Sequence, residues 1–379
     1  MLNYEYPPLG GGAGRISQHI SEELTTLGHP VTVITSWFDG LVEEEYLPNK
    51  PRIIRIKSKR KERFQSNPIE MYDWLNKAWE YLKQKPLSKD YDICFANFTI
   101  PGGWLAFKIN HLFGLHYCII SHGHDIPWFF KKQMFFYHLF TYPLIKKFCR
   151  NADFIFVQSS YMKRNADAFV GKRKSSSVIL IPNGITPQPV NFEIRKGTPL
   201  TILFAGRFVT QKNPLVFVKA LHRVSKMQIP YQAYMIGDGK LRHKIERSIV
   251  KYKLSHVKLT GWIDNKDVWK YYERAHIMVM PSLMEGMSIS NLEALSAGLF
   301  LITTPVSGNT ELLSCCKNGK LVPLYNDRQI ANAIQTFYFE QYLTKTFVSE
   351  RYMDDFKAKF SWSNIATQYE TVLKKMINK

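Results

Sequence analysis

Several features are missing from this 379-residue chain. Its five cysteines, Cys94, Cys118, Cys149, Cys315 and Cys316, are odd in number and show no CxxC spacing, which argues against a disulfide framework or a zinc site and points to a reducing compartment. No run approaches the roughly 18 consecutive apolar residues that a membrane span needs. The opening MLNYEYPPLGGG has no basic segment leading into an apolar one, so it does not read as a secretory signal. A cytoplasmic location is expected. Acidic residues are scarce, 31 against 51 Lys and Arg, and the resulting formal charge of +20 implies an acidic partner: nucleic acid, anionic lipid or a phosphorylated substrate. No zinc-finger or RNA-recognition signature is present, so nucleic acid is not the expected partner.

With 45% hydrophobic residues, the chain can bury large cores, and its length favours two domains. Short β-branched or aromatic runs at 31–35, 53–56, 93–96, 117–121, 154–158 and 178–181 alternate with helical patterns, the signature of parallel sheet. In the first helix Ile16, Ile20, Leu24 and Leu27 share a face and Gly28 ends it. A second series has strands expected at 201–205, 231–236, 257–260, 277–280, 300–303 and 321–322. The fold class is therefore α/β, with two Rossmann-like doubly wound domains. Expected boundaries are 1–186 for the first domain, 187–199 for a linker rich in proline and glycine, 200–358 for the second domain and 359–379 for a terminal helix. The basic runs 57–63 and 171–174 read as solvated loops.

Three places could carry chemistry. The glycines of GGGAG, Gly10 to Gly14, stand directly before a helix, where side-chain-free backbone can admit an anion to the helix amides; a tight turn explains them as well. Arg207 and Lys212, in GRFVTQKN, follow a strand's C-terminal end, either as surface cations or as a clamp for a diphosphate. In PSLMEGMSISNLEALSAG, Glu285 falls in a loop and Glu293 on a helix beginning near Ile289. That is a plain capped helix, or carboxylates for paired hydroxyls beside phosphate-binding amides of Met287, Ser288 and Ile289.

GGGAG, GRFVTQKN, GDGKLRHKIE, GWI and EGMSISNLEA occur in this order, and with them the chain resembles glycosyltransferase family 4, of the GT-B fold. The resemblance covers nearly the whole chain and is strongest over 201–313. It implies a retaining transfer of a hexose-type sugar from a nucleotide diphosphate sugar bound in a central cleft that the two domains face. Arg207 and Lys212 would contact the diphosphate, Glu285 the transferred sugar and Glu293 the ribose. Trp262 and Ile263 would lie beside the base, and Gly11, Gly12, Gly14 and Asn183 would complete the donor site. His122, in ISHGHDIP, matches the family's active-site histidine; His124 competes for that role, and Asp125 either orients the loop or accepts an acceptor-side hydroxyl.

The resemblance implies no cofactor and no metal. Asp90-Tyr91-Asp92 precedes an apolar run instead of following one, so it reads as a strand entrance, not as a metal-binding Asp-x-Asp. Two departures stand out: only Met1 to Tyr6 precede the glycine loop where the family has a full strand, and the usual EGFG is EGMS. From 129 to 150, FFKKQMFFYHLFTYPLIKKFCR mixes aromatic residues with lysines and fits either an anionic membrane surface or a helix packed on the first sheet, with Pro143 interrupting it. A lipid-linked hydroxyl acceptor and a role in surface polysaccharide, lipopolysaccharide or glycolipid synthesis follow as expectations. The rivals are a sugar-nucleotide epimerase of similar fold and a basic nucleic-acid-binding protein.

Overall fold

Alternating apolar runs and amphipathic segments fold here as parallel strands with helices between them, in a computed structural model that describes residues 1–63, 65–127, 135–186, 188–191, 193–346 and 350–377. The chain forms two units: Met1–Gly184 with Trp362–Lys379, and Ile185–Ser361.

In the first unit, Arg52–Ile56 pairs in parallel with Thr32–Ser36 and antiparallel with the short Glu44–Glu45. A separate parallel set runs Ile93–Asn97, His116–Ile120, Phe154–Val157, Val178–Leu180 in spatial order. The residues before the glycine loop join the two sets. Leu2 bridges both Ile34 and Ala96. Its amide donates to Phe95 O at 2.8 Å, and the Asn3 amide to Ile34 O at 3.0 Å. Leu2 and Asn3 thus occupy the position between the two sets.

The helix Gly12–Thr26 buries Ile16, Ile20 and Leu24, each side chain worth about 1.5–3 kcal/mol of burial. Leu27 does not join that face: it caps the helix end and is exposed, because the chain is already turning toward Gly28 at φ +93°. The closing helix Trp362–Ile377 packs in this unit, with Trp362 stacked on His19 and Tyr369 edge-on to Phe156.

The second unit has a six-stranded parallel sheet ordered Val257–Gly261, Gln232–Ile236, Thr201–Ala205, Ile277–Met280, Phe300–Thr303, Gly319–Leu321. The stretch expected as a linker belongs to this unit. Ile185 lies in its core, and the Arg195 guanidinium is buried, donating to the carbonyls of Glu273, Tyr272 and Ala297. Three carbonyls satisfy the buried guanidinium and tie that segment to this unit.

Two further expectations change. Phe135–Asn151 is one helix that runs through Pro143. The position where the proline removes an N–H lies on an exposed face, where water can satisfy the freed carbonyl. The part of the 129–150 stretch before residue 135 lies outside the described residues. The basic run 57–63 is mostly exposed loop, as expected, although Arg60 donates to Tyr4 O at 3.0 Å; the run 171–174 instead enters a tight helical turn, where Lys174 donates to Ala152 O at 3.1 Å.

Candidate functional site

In the second unit the chemistry gathers at the C-terminal ends of the strands, where an open α/β sheet leaves its crevice. The loop after Thr201–Ala205 and the loop after Ile277–Met280 are tied together. Leu283 N donates to Gln211 O at 2.8 Å, and Gln211 Nε2 to Met284 O at 3.1 Å. That places Lys212 Nζ 2.5 Å from Glu285 Oε1. The same carboxylate oxygen accepts from Ser282 Oγ at 2.7 Å. Glu285 is buried, so the lysine supplies the charge that keeps a desolvated carboxylate in place.

Beneath this pair runs a buried polar chain that sequence reasoning missed. The Thr304 hydroxyl donates to Ser282 O, Asn309 Nδ2 donates to Thr303 Oγ1 at 2.9 Å, and Asn291 Nδ2 donates to Asn309 Oδ1 at 2.9 Å. Gly308 N donates to Gly286 O at 3.0 Å, and a Cβ at Gly308 would lie 2.7 Å from that oxygen. The signal was available in TTPVSGN after the fifth strand of this sheet, but nothing local says what those residues face.

Met287 and Ser288 are buried, and the helix Ile289–Ser296 begins immediately after Ser288 with no side-chain cap. Its first amides are therefore left for an external acceptor. The buried Ser288 hydroxyl has no partner among the described residues. Glu293 sits on the helix, half-buried, accepting from Tyr272 OH at 3.1 Å. Arg207 is exposed and forms no ion pair among the described residues. GDGK packs its backbone on this loop: a Cβ at Gly237, φ +132°, would sit 2.2 Å from Gly206 O. Gly261, φ +76°, accepts from Gly237 N at 2.8 Å; Trp262 beyond it is exposed and Ile263 partly buried.

In the first unit the glycines divide. Gly11 and Gly12 face open space at the start of the helix, with no side-chain cap. A Cβ on Gly14 would lie 2.7 Å from Glu5 O, so that glycine is required by close backbone packing. Asn183 is buried.

His122 follows the strand His116–Ile120, half-buried against the Phe98 ring at 4.7 Å. Its Nε2 lies 3.1 Å from Asn97 Oδ1. Asn97 Nδ2 faces the carbonyl of Leu2, which orients the amide so that Oδ1 can only accept. His122 Nε2 is then the donor and Nδ1 keeps its lone pair. Desolvation lowers the His122 pKa to about 3, so the ring is neutral. Ser17, on the glycine helix, donates to the same Asn97 oxygen at 2.6 Å and accepts from Asn3 Nδ2 at 2.8 Å.

The carboxylate of Asp125 is held within its own loop. One carboxylate oxygen accepts from Ser121 Oγ and from the amides of His122 and Gly123, the other from the Thr99 amide. Burial raises its pKa while these hydrogen bonds lower it, with burial the larger effect.

Among the described residues no group of His, Cys, Asp and Glu has metal-ligand geometry, and no helix is long and apolar enough to cross a membrane. Each unit is an α/β layer with a parallel sheet, and the second holds a partly buried lysine against a buried glutamate. Two family models match the chain: residues 10–188 match Glycosyltransferase Family 4 and residues 190–350 match Glycosyl transferases group 1. The chain belongs to this glycosyltransferase family.

It is 25% identical over 366 residues to the uncharacterized glycosyltransferase MJ1178 of Methanocaldococcus jannaschii, covering 96% of this chain and 93% of the relative. Its fold is similar to sucrose-phosphate synthase from Thermosynechococcus elongatus, with a TM-score of 0.82, 21% identity and coverage of 100% and 98%. It is also similar to Anabaena HepE, solved with UDP-glucose, with a TM-score of 0.74, 16% identity and coverage of 99% and 98%.

Proposed function

We propose that the chain transfers a hexose-type sugar, with retention, from a nucleotide diphosphate sugar to a hydroxyl acceptor in surface-polysaccharide or glycolipid synthesis. The observation that carries this reading is the Lys212–Glu285 pair, a cation and a buried carboxylate held together where two strand ends meet. Lys212 and Arg207 supply positive charge to the departing diphosphate, and Glu285 holds sugar hydroxyls. Glu293 takes the ribose, the segment Gly261, Trp262 and Ile263 lies by the base, and the open amides at Gly11 and Gly12 and after Ser288 receive phosphate or sugar oxygens. The solved complex of HepE with UDP-glucose supports a nucleotide-sugar donor.

In the proposed step the bond from the anomeric carbon to the diphosphate oxygen breaks as the acceptor oxygen bonds from the same face. The acceptor proton passes to the leaving phosphate. His122, neutral, positions the sugar through Nδ1 without taking that proton, and the two cations do the work a metal would do, so no metal or other cofactor is needed.

The test follows nucleoside diphosphate release from a panel of nucleotide hexoses, with detergent-solubilised lipid extract as acceptor and the product's anomeric proton read by NMR. Acceptor-dependent release, retained configuration and indifference to EDTA are expected. Inversion, loss of turnover in EDTA, or an altered sugar formed without acceptor would each overturn the proposal.

A further inference from the structure

The outward face of the helix Phe135–Asn151 breaks the rule that surface helices turn polar residues to water. Its inner face is conventional: Ile145, Phe148 and Cys149 are buried, with Phe148 against Trp104 and Phe107. The outer face carries Phe135, Leu139, Phe140 and Leu144, and Phe140 is 77% exposed. At 100° per residue these four fall within one half of the helix, so they form a continuous apolar stripe. Water-exposed patches of this kind mark contact surfaces.

The charges around the stripe identify what it contacts. No acidic residue occurs between Asp125 and Asp153. Along the helix beyond the stripe come Lys146, Lys147 and Arg150. Arg150 then lines a cavity of about 470 Å³ with Val170, Gly171, Lys172 and Lys174. Arg150 Nε and Lys174 Nζ are held by the carbonyls of Val170 and Ala152, so both cations are fixed in place. The nearest acid on the adjoining helix, Asp167, is already paired with Lys163 at 3.0 Å. An apolar stripe running into a fixed cationic cluster, on a helix that carries no acidic residue, is complementary to an anionic lipid surface, with acyl chains under the rings and phosphates over the cations.

We infer that this face of the first unit docks on an anionic bilayer, with Leu139, Phe140 and Leu144 entering the interface and Lys147, Arg150, Lys172 and Lys174 meeting lipid phosphates. The inference is independent of the sugar donor.

The test is co-sedimentation of the full chain with phosphatidylglycerol–phosphatidylcholine vesicles and with phosphatidylcholine alone, at low and at physiological salt. Binding to the anionic vesicles, weakened by salt and at least tenfold weaker on phosphatidylcholine alone, is expected. The double variant Phe140→Ser/Leu144→Ser, whose side chains are exposed, should keep wild-type thermal unfolding and lose about tenfold in binding. Lys172→Glu should lose about fivefold or more, in line with one surface cation's contribution. Unchanged vesicle binding by the folded double variant overturns the inference, and so does failure of the wild type to sediment with either vesicle. A lipid-free dimer that the double variant dissolves would show a second copy covering this face and overturns it too.

Discussion

The two units hold their chemistry in different ways. In the second unit the candidate side chains brace one another directly: Lys212 on Glu285, and Glu285 on Ser282. In the first unit His122 is held by residues with no obvious chemistry, Asn97 and the amide-filled carboxylate of Asp125. An ion pair holds one site and a hydrogen-bond network without an ion pair holds the other. The first arrangement leaves a sequence motif, and the second leaves almost none.

The largest predicted effect breaks the charged arrangement. Lys212→Ala strands a buried carboxylate and should cost about 3–5 kcal/mol in denaturant unfolding. Lys212→Met combined with Glu285→Leu should recover most of that stability while leaving transfer abolished; equal instability in the pair would show that the ion pair is not the source.

Asn97→Leu attacks the hydrogen-bonded arrangement. Removing the acceptor that fixes His122 Nε2–H should lower kcat roughly a hundredfold with KM little changed, by loss of positioning. It should also change the ring's ¹⁵N shifts, because the tautomer is no longer set. Wild-type shifts in the folded variant would sink this role.

A smaller effect separates the glycines. Gly14→Ala forces a Cβ against Glu5 O and should cost about 1–3 kcal/mol, whereas Gly12→Ala enters open space and should leave unfolding unchanged while weakening donor binding.

The smallest concerns acid. Burial depresses His122 to about 3 and His276 to about 4, below their unfolded values near 6.5. A group that binds its proton more readily when unfolded makes stability fall as pH drops through the unfolded value toward the folded one. Both units should therefore lose stability from about pH 6.5 downward, and His276→Gln should flatten the slope of melting temperature between pH 7 and 5. An unchanged slope would contradict this.

These contrasts explain what the sequence made legible. Strand positions were readable because β-branched runs recur between amphipathic helices, and the glutamates because strand-loop-helix placement is local. The end of the first helix misled, since Leu27 fits the helical period but the chain leaves the helix there. Arg195 was invisible for a deeper reason: an arginine in a polar stretch is expected in water, and only three distant carbonyls make it part of a core. Asn97 and Asn309 were missed likewise, because their partners lie far away in the chain or behind a turn. Asp125 was in view, but the four hydrogen bonds that its carboxylate accepts could not be read from the sequence.

In the proposed function the second unit grips a nucleotide diphosphate sugar through Lys212, Arg207 and Glu285. Isothermal titration of the purified chain with a panel of nucleoside diphosphates and their sugars, beside folded Arg207→Ala and Glu285→Ala variants, tests it most directly. Selective binding of one base is expected, weakened in Arg207→Ala for the diphosphate and its sugar alike, and in Glu285→Ala chiefly for the sugar nucleotide. Well-folded protein that binds none of the panel, or variants that bind as the wild type does, would contradict it.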